Sequence, residues 1–200
     1  MNDIIRIALP LYFTFYFGYV FIYKSSLVAK EIGKSPMVLP KNDTAYGLIG
    51  LYFKLIHVLL LVYTIAFGII PIIHQYLSPI LLMDTNIIQY IGIGLLVIAL
   101  VWTIIAQENM KISWRMGIDE VTKTPLITTG LFAYTRNPIF VGLILGFGGL
   151  FLVTPNSLTL VIFLLEFVLI QIQVRLEEVH LEKLHGQTYL DYKLKTKRLF

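Results

Sequence analysis

The stretch RNPIFVGLILGFGGLFLVTPNSLTLVIFLLEFVLIQIQVRLEE, residues 136–178, decides how this chain folds. It opens on Arg136-Asn137-Pro138 and closes on Arg175-Leu176-Glu177-Glu178. Between these polar ends run two apolar segments, 138–153 and 157–174, separated by the tight-turn signal Thr154-Pro155-Asn156-Ser157. Each is somewhat short of the roughly 20 residues a helix needs to cross the hydrocarbon. Together they predict a helical hairpin of which both arms cross or neither does. Charge so close to lipid is costly, and such groups usually serve a site.

Outward from this hairpin the chain stays apolar. Three further runs, roughly 4–23, 46–73 and 86–106, bring the expected spans to about five. The 200 residues are 57% hydrophobic and 14% charged, against roughly 25% charged in a soluble domain. The expected fold is therefore all-α, a polytopic transmembrane helical protein. Residues 1–106 carry helices 1–3, and residues 107–200 form a chemistry-bearing region with the hairpin and a C-terminal helix. The absence of cysteine excludes disulfides, thiolate metal sites and cysteine nucleophiles. The four histidines, at 57, 74, 180 and 185, form no H-x-x-x-H pair, so a histidine-rich di-iron centre and any other metal site are not expected. Nothing resembles a Walker loop, a G-x-S-x-G elbow or H-E-x-x-H, and Gly92-x-Gly94 inside an apolar run is no dinucleotide fingerprint.

The charges orient the spans. Segments 24–45, 107–137 and 175–200 hold 14 of the 16 Lys and Arg residues. The positive-inside rule puts these segments and the C-terminus in the cytoplasm and the N-terminus outside. The net charge of +4 thus reports topology and not nucleic-acid binding. Such a multi-pass protein belongs in the plasma (inner) membrane of a bacterium or the endoplasmic reticulum of a eukaryote. The first run is too long, and lacks a small-residue cleavage site, to be a removable leader. Asn42-Asp43-Thr44 matches a glycosylation acceptor but falls on the predicted cytoplasmic side. The segment from Lys24 to Asp43, with Pro36 and Pro40, is expected to be irregular.

Within the spans a few residues invite chemistry. The aromatic first run reads as a lipid-facing surface or as the wall of a lipid groove. Lys54 snorkels from the second run, and His57 one turn on reads as a packing residue. Gly142, Gly146 and Gly149 line one helix face and predict close packing within the hairpin. On a continuous helix over 157–185, Glu166, Gln173 and Glu177 fall within about 40° of one another. Glu178 lies about 100° from Glu177, with Leu181 between them, so the carboxylates flank an apolar, inward-facing seam. Glu166 is deep in an apolar run and must be protonated, paired or beside water. Pro138 suits a helix start because its missing N–H has no partner there. The first turn it opens, with Arg136, forms a candidate anion site.

The order Ser113-Trp114-Arg115-x-Gly117-x-Asp119, Leu126-x-Thr128-x-Gly130-x-Phe132, Arg136-Asn137-Pro138-x-Phe140-x-Gly142, then Glu177-Glu178-x-x-Leu181, Gly186-x-x-Tyr189 and Tyr192 resembles a known pattern. It is similar to the isoprenylcysteine carboxyl methyltransferase and phospholipid methyltransferase group of integral-membrane enzymes. The resemblance covers about residues 110–195. It implies a cytoplasmic pocket for S-adenosylmethionine. The cofactor contacts it implies are Thr124, Pro125, Leu126 and Ile127 on an approach strand, then Phe132, then Asn137, Pro138, Ile139 and Phe140. Glu177, or Glu178 one residue on, would hold its ammonium or ribose hydroxyls, and Gly117 is a further contact. Arg175 and Arg136 are the implied catalytic cations, with Gln173 and Glu166 toward the substrate.

The chain departs from that pattern at three places. Asn137 stands where the group commonly has His, and Phe132 and Phe140 where it often has Tyr. Gln173 stands where protein-methylating members have an Arg. The implied reaction is direct in-line methyl transfer to a lipophilic or prenylated carboxylate. Methylation of a phospholipid amine is the alternative. A sterol-reductase-like NADPH enzyme and a non-catalytic membrane scaffold are the remaining readings. The expected partners are bilayer lipids, with the basic tail at Lys193, Lys195, Lys197 and Arg198 against anionic headgroups. The oligomeric state stays open.

Overall fold

The structure is a computed structural model that describes residues 3–38, 44–118 and 124–200. Among the described residues it is all-helical, without strands. Four helices are long and apolar enough to cross a membrane: Asp3–Ile32, Ala45–Ile69, Asn86–Ser113 and Ser157–His185. The first comprises α1 (Asp3–Phe17), a π-turn at Gly18–Tyr23 and α2 (Lys24–Ile32) in unbroken succession. Then follow α3 (Ala45–Ile69), the short α4 (Ile73–Tyr76) and α5 (Asn86–Met110). The hairpin arms are α6 (Pro138–Val153) and α7 (Ser157–His185), and α8 (Gln187–Lys195) closes the chain.

Two expectations about boundaries need correction. The segment after residue 23 is not irregular at first; it stays helical to Ile32, where Gly33 at φ +71° ends it in the left-handed conformation that glycine tolerates. The helix persists because Lys24, 5% exposed, meets Glu108 of α5 at 2.6 Å, so its charge does not force the chain out to water. Pro40, Asn42 and Asp43, with the acceptor motif read there, lie outside the described residues, as does Asp119. The hairpin is also less symmetric than read. α7 runs 29 residues, about 43 Å, whereas α6 has 16, about 24 Å. Among the described residues, four helices have spanning length and α6 is a shorter apolar helix. α6 is the shorter because Pro138 opens it and the turn at Thr154-Pro155 stops it, and it is buried along most of that length.

The small-residue face of α6 explains that position, with a different partner from the one expected. A Cβ on Gly142 would meet Thr103 Oγ1 at 2.1 Å, and one on Gly149 would meet Gly92 O at 3.0 Å. The face is pressed against α5, not against the other hairpin arm. Close backbone approach is what small residues permit between helices in lipid. The hairpin turn itself is held by a capping box, in which Asn156 accepts from Thr159 N at 3.0 Å and Thr159 Oγ1 accepts from Asn156 N at 3.3 Å. Asn156 Nδ2 also donates to Tyr63 OH of α3 at 2.9 Å. Large apolar side chains such as Ile4, Leu11, Leu55, Val62, Ile98 and Val168 remain exposed, as lipid-facing positions do.

The loops gather at two ends. Leu77 and Ile80 hydrogen-bond to the hairpin turn through Ser157 N and Pro155 O. At the opposite end, Val38 N donates to Met116 O at 2.9 Å, and Arg136 N donates to Lys197 O at 2.9 Å. The three base-rich segments of the sequence thus meet at one end of the bundle.

Candidate active site

A cavity of about 1140 Å³ opens inside the bundle toward the base-rich end. One wall is Phe17, Val20 and Phe21 around the π-turn, with Phe53, Lys54 and His57 of α3. The loop from Trp114 to Ile118, with Thr124, covers it. The start of α6 supplies Asn137, Pro138, Ile139 and Phe140, and α7 supplies Gln173, Glu177, His180, Leu181 and Leu184. A π-turn is uncommon and often sits at a functional site; here Val20, Phe21 and Ile22 from it line the cavity. Gly117, at φ +97°, takes a conformation that side-chain-bearing residues rarely adopt.

The acidic seam divides as its helical angles demand. Glu177 faces the cavity and accepts from Gln173 Nε2 at 2.7 Å. Gln173 in turn reaches Tyr46 OH at 3.5 Å, and the same hydroxyl accepts from Ile118 N at 2.6 Å. Tyr46 therefore ties the covering loop to α7. Glu178, one residue on, turns away from the cavity and is 3% exposed. Its Oε1 accepts from Arg136 Nε at 2.9 Å and Nη2 at 2.8 Å, and its Oε2 from Arg198 Nε at 3.0 Å and Nη2 at 2.8 Å. This pairing raises the pKa of Arg198 above the ordinary guanidinium value.

The C-terminal strap shapes the cavity through these contacts. Arg136 Nη1 donates to Lys193 O at 3.0 Å and to Thr196 O. Arg198 O accepts from Thr135 Oγ1 at 3.1 Å and from Asn137 Nδ2 at 3.0 Å. With its amide nitrogen so engaged, Asn137 offers the cavity an oxygen acceptor. Tyr192 OH donates to Phe132 O at 2.6 Å, and burial pushes its pKa up to about 12. The turn at 132–137 is thus locked from behind, and Trp102 Nε1 braces the start of α6 by donating to Pro138 O at 2.8 Å.

The structure brings together Gly117, Thr124, Phe132, Arg136, Asn137, Pro138, Ile139, Phe140, Gln173 and Glu177 on one cavity. It does not bring Pro125, Leu126, Ile127, Glu178, Glu166 or Arg175 to that lining. Residues 124–128 form no strand. Arg175 is exposed on α7, where it hydrogen-bonds Gln171 one turn back; its helical direction, about 200° from that of Gln173, carries it off the cavity face. Arg136 does line the cavity, and its donors are engaged by Glu178 and by the Lys193 and Thr196 carbonyls. The sequence reading missed Tyr46, Val20 and His180. Tyr46, at the start of an apolar helix, looks like any interfacial tyrosine, whereas Lys54 and His57 one turn apart were a visible polar signal in a greasy run.

The fold and site define a class: a polytopic helical membrane protein with a deep, mostly apolar cavity ending in a cluster of hydrogen-bond acceptors. A family model described as phospholipid methyltransferase matches residues 87–188. The chain belongs to this family and is a membrane methyltransferase. No curated protein and no solved structure matches the chain. The cavity residues fit the S-adenosylmethionine that the family generally uses. Glu177, the Asn137 oxygen and the backbone beside Gly117 offer acceptors for an ammonium and for hydroxyls. The cavity also exceeds the roughly 300–1,000 Å³ of a small-molecule site, which leaves room for a second, lipophilic reactant.

Proposed function

We propose that the protein methylates an amine on a lipid headgroup, with S-adenosylmethionine as donor, at the cytoplasmic face of its membrane. The observation that carries the amine is the Gln173–Glu177 hydrogen bond. Gln173, with its amide nitrogen engaged by Glu177, puts a neutral amide where the protein-methylating members of the group it resembles carry an arginine for a substrate carboxylate. Arg136 and Arg115 are both held by protein acceptors. The cytoplasmic side follows from the basic segments gathered at the cavity's end.

The cofactor would supply a methyl group activated by a sulfonium. Glu177 and Asn137 would hold its polar parts by accepting hydrogen bonds. Phe17, Phe21, Phe53 and Phe140 would line the path of the acceptor's apolar body and keep water from the reacting atoms. Catalysis then comes from positioning and desolvation, without a covalent enzyme intermediate. A carboxylate acceptor is the second reading, and Lys54 on the cavity wall is the observation that favours it.

The test is a panel on purified protein in lipid nanodiscs. S-adenosylmethionine and NADPH are titrated separately by calorimetry. Methyl transfer is then measured to phosphatidylethanolamine and to a farnesylcysteine carboxylate. Binding of the first cofactor with transfer to the amine supports the proposal. Binding of NADPH alone, or transfer to the carboxylate alone, overturns it.

A further inference from the structure

Below the acceptor cluster, the cavity reaches a second polar group that the proposed mechanism leaves unused. His57 of α3 lines the cavity, and Glu166 of α7 lies behind it, fully buried. His57 Nδ1 is 2.7 Å from Phe53 O. A carbonyl oxygen only accepts, so Nδ1 carries a proton, and in the neutral ring Nε2 carries a lone pair. That Nε2 has no hydrogen-bond partner and stands 4.0 Å from Glu166 Oε1. Both Glu166 oxygens are likewise without a partner. A lone pair facing a carboxylate is repulsive, so this arrangement calls for one proton between the two groups. With it the couple is neutral, as a bilayer interior requires. Phe17, Phe21, Phe53 and Phe147 surround the imidazole with ring centres 5.1 to 6.3 Å away. The other titratable groups nearby are Tyr16 of α1, whose hydroxyl bonds Thr103 of α5 at 2.9 Å, and Lys54, one turn from His57 on the cavity wall.

We propose that His57, backed by Glu166, is the base that removes a proton from a lipid ammonium before methyl transfer. The inference rests on the amine reading above and specifies its acceptor as a protonated primary or secondary amine. Alkyl ammonium groups titrate near pH 10, so at pH 7 roughly one acceptor in a thousand has a free lone pair. When the ammonium enters, it replaces the couple's proton as the counter-charge of Glu166, and that proton leaves through the cavity to water. The ammonium N–H bond then breaks. Its proton passes to His57 Nε2, by a turn of the imidazole toward the cavity, and on to Glu166 as the ring turns back, which restores a neutral imidazole and a neutral carboxyl. The electron pair stays on nitrogen as a neutral amine. That pair forms the new N–C bond as the C–S bond of the donor breaks, its electrons going to sulfur. Low dielectric favours this proton transfer because it converts an ammonium–carboxylate pair into two neutral groups. A carboxylate acceptor, already ionised at pH 7, needs no such base.

The experiment compares wild type, Glu166→Gln and His57→Gln in nanodiscs. Cofactor affinity should stay within about twofold of wild type in both variants. Transfer to phosphatidylethanolamine at pH 7 should fall about 100-fold, in the range a positioned base contributes. In the variants the rate should rise about tenfold per pH unit toward pH 10, where the free amine forms unaided. Infrared spectra without cofactor give a reading apart from turnover. Wild type should show the C=O stretch of a protonated buried carboxyl, weakened by added phosphatidylethanolamine and missing in Glu166→Gln. Variant rates within threefold of wild type at pH 7 overturn the proposal, as does an unchanged pH profile. Should Glu166→Gln fail to fold, His57→Gln, on the open cavity wall, decides the rate comparison alone. Loss of cofactor binding by wild type would instead strike the proposed function itself.

Discussion

Replacing Glu178 by Ala should destabilise the protein far more than replacing Arg198 by Ala, although both break the same ion-pair triad. Glu178 is 3% exposed and accepts from two guanidinium groups, one on each oxygen. Its loss leaves Arg136, whose side chain is 8% exposed, as a buried cation without its carboxylate, facing the Lys193 and Thr196 carbonyls. Breaking a buried pair by removing one partner costs about 3–5 kcal/mol. Arg198 is 36% exposed, and its removal leaves Glu178 still paired with Arg136, so its cost falls to about 0–1 kcal/mol. For a chain of this size 1 kcal/mol moves the melting temperature by about 2–4 °C. Glu178→Ala should then melt about 6–20 °C below wild type, and Arg198→Ala within about 4 °C of it. The assay is thermal unfolding of both variants in one detergent, followed by tryptophan fluorescence, with Trp102 reporting on the start of α6. Equal shifts in the two variants would refute the reasoning, as would a Glu178→Ala shift under about 2 °C.

Gly92→Ala should destabilise the α5–α6 contact by about 1–3 kcal/mol, because a Cβ there would lie 2.8 Å from Gly149 O; Gly94→Ala, which meets nothing within 4 Å, is the control, and paired melts compare them. Tyr192 ionises near pH 10 when unfolded and at about 12 when folded. Between those values the folded chain keeps a proton that the unfolded chain has lost, so stability falls as pH rises through that window. The alkaline fall should be smaller in Tyr192→Phe, as read by denaturation at pH 9 and pH 11.5. Gln173→Arg should raise transfer to a farnesylcysteine carboxylate relative to phosphatidylethanolamine by about tenfold or more, since it sets a guanidinium beside Glu177; a competition assay with both acceptors measures the ratio.

The helical architecture was plain in the apolar runs, and so was the angular logic of α7, because a 3.6-residue period on one long helix leaves little freedom. Gln173 and Glu177 face the cavity, and Glu178 does not, as the 100° step between adjacent residues dictates. The hairpin's partner was harder to read. Gly142, Gly146 and Gly149 announce a close neighbour, but a glycine face does not say which helix will fill it, and α5 does. Helix length misled at Lys24, where a partner 84 residues away at Glu108 takes up its charge and lets the chain stay helical. The same blindness to distant partners hid the role of the tail. Arg198 read as one of several interfacial cations, and only folding brings it to Glu178. His57 looked like a packing residue because Glu166 faces it from a different helix, 109 positions on.

The central claim is that Glu177 on the cavity face, and not its neighbour Glu178, holds the methyl donor. Calorimetric titration of S-adenosylmethionine into folded wild type, Glu177→Gln and Glu178→Gln tests it directly. The account predicts binding to wild type and a loss of at least about tenfold in affinity for Glu177→Gln. Glu178→Gln, where it remains folded, should bind within about threefold of wild type. Wild-type affinity in Glu177→Gln, or no binding to wild type at all, would contradict it.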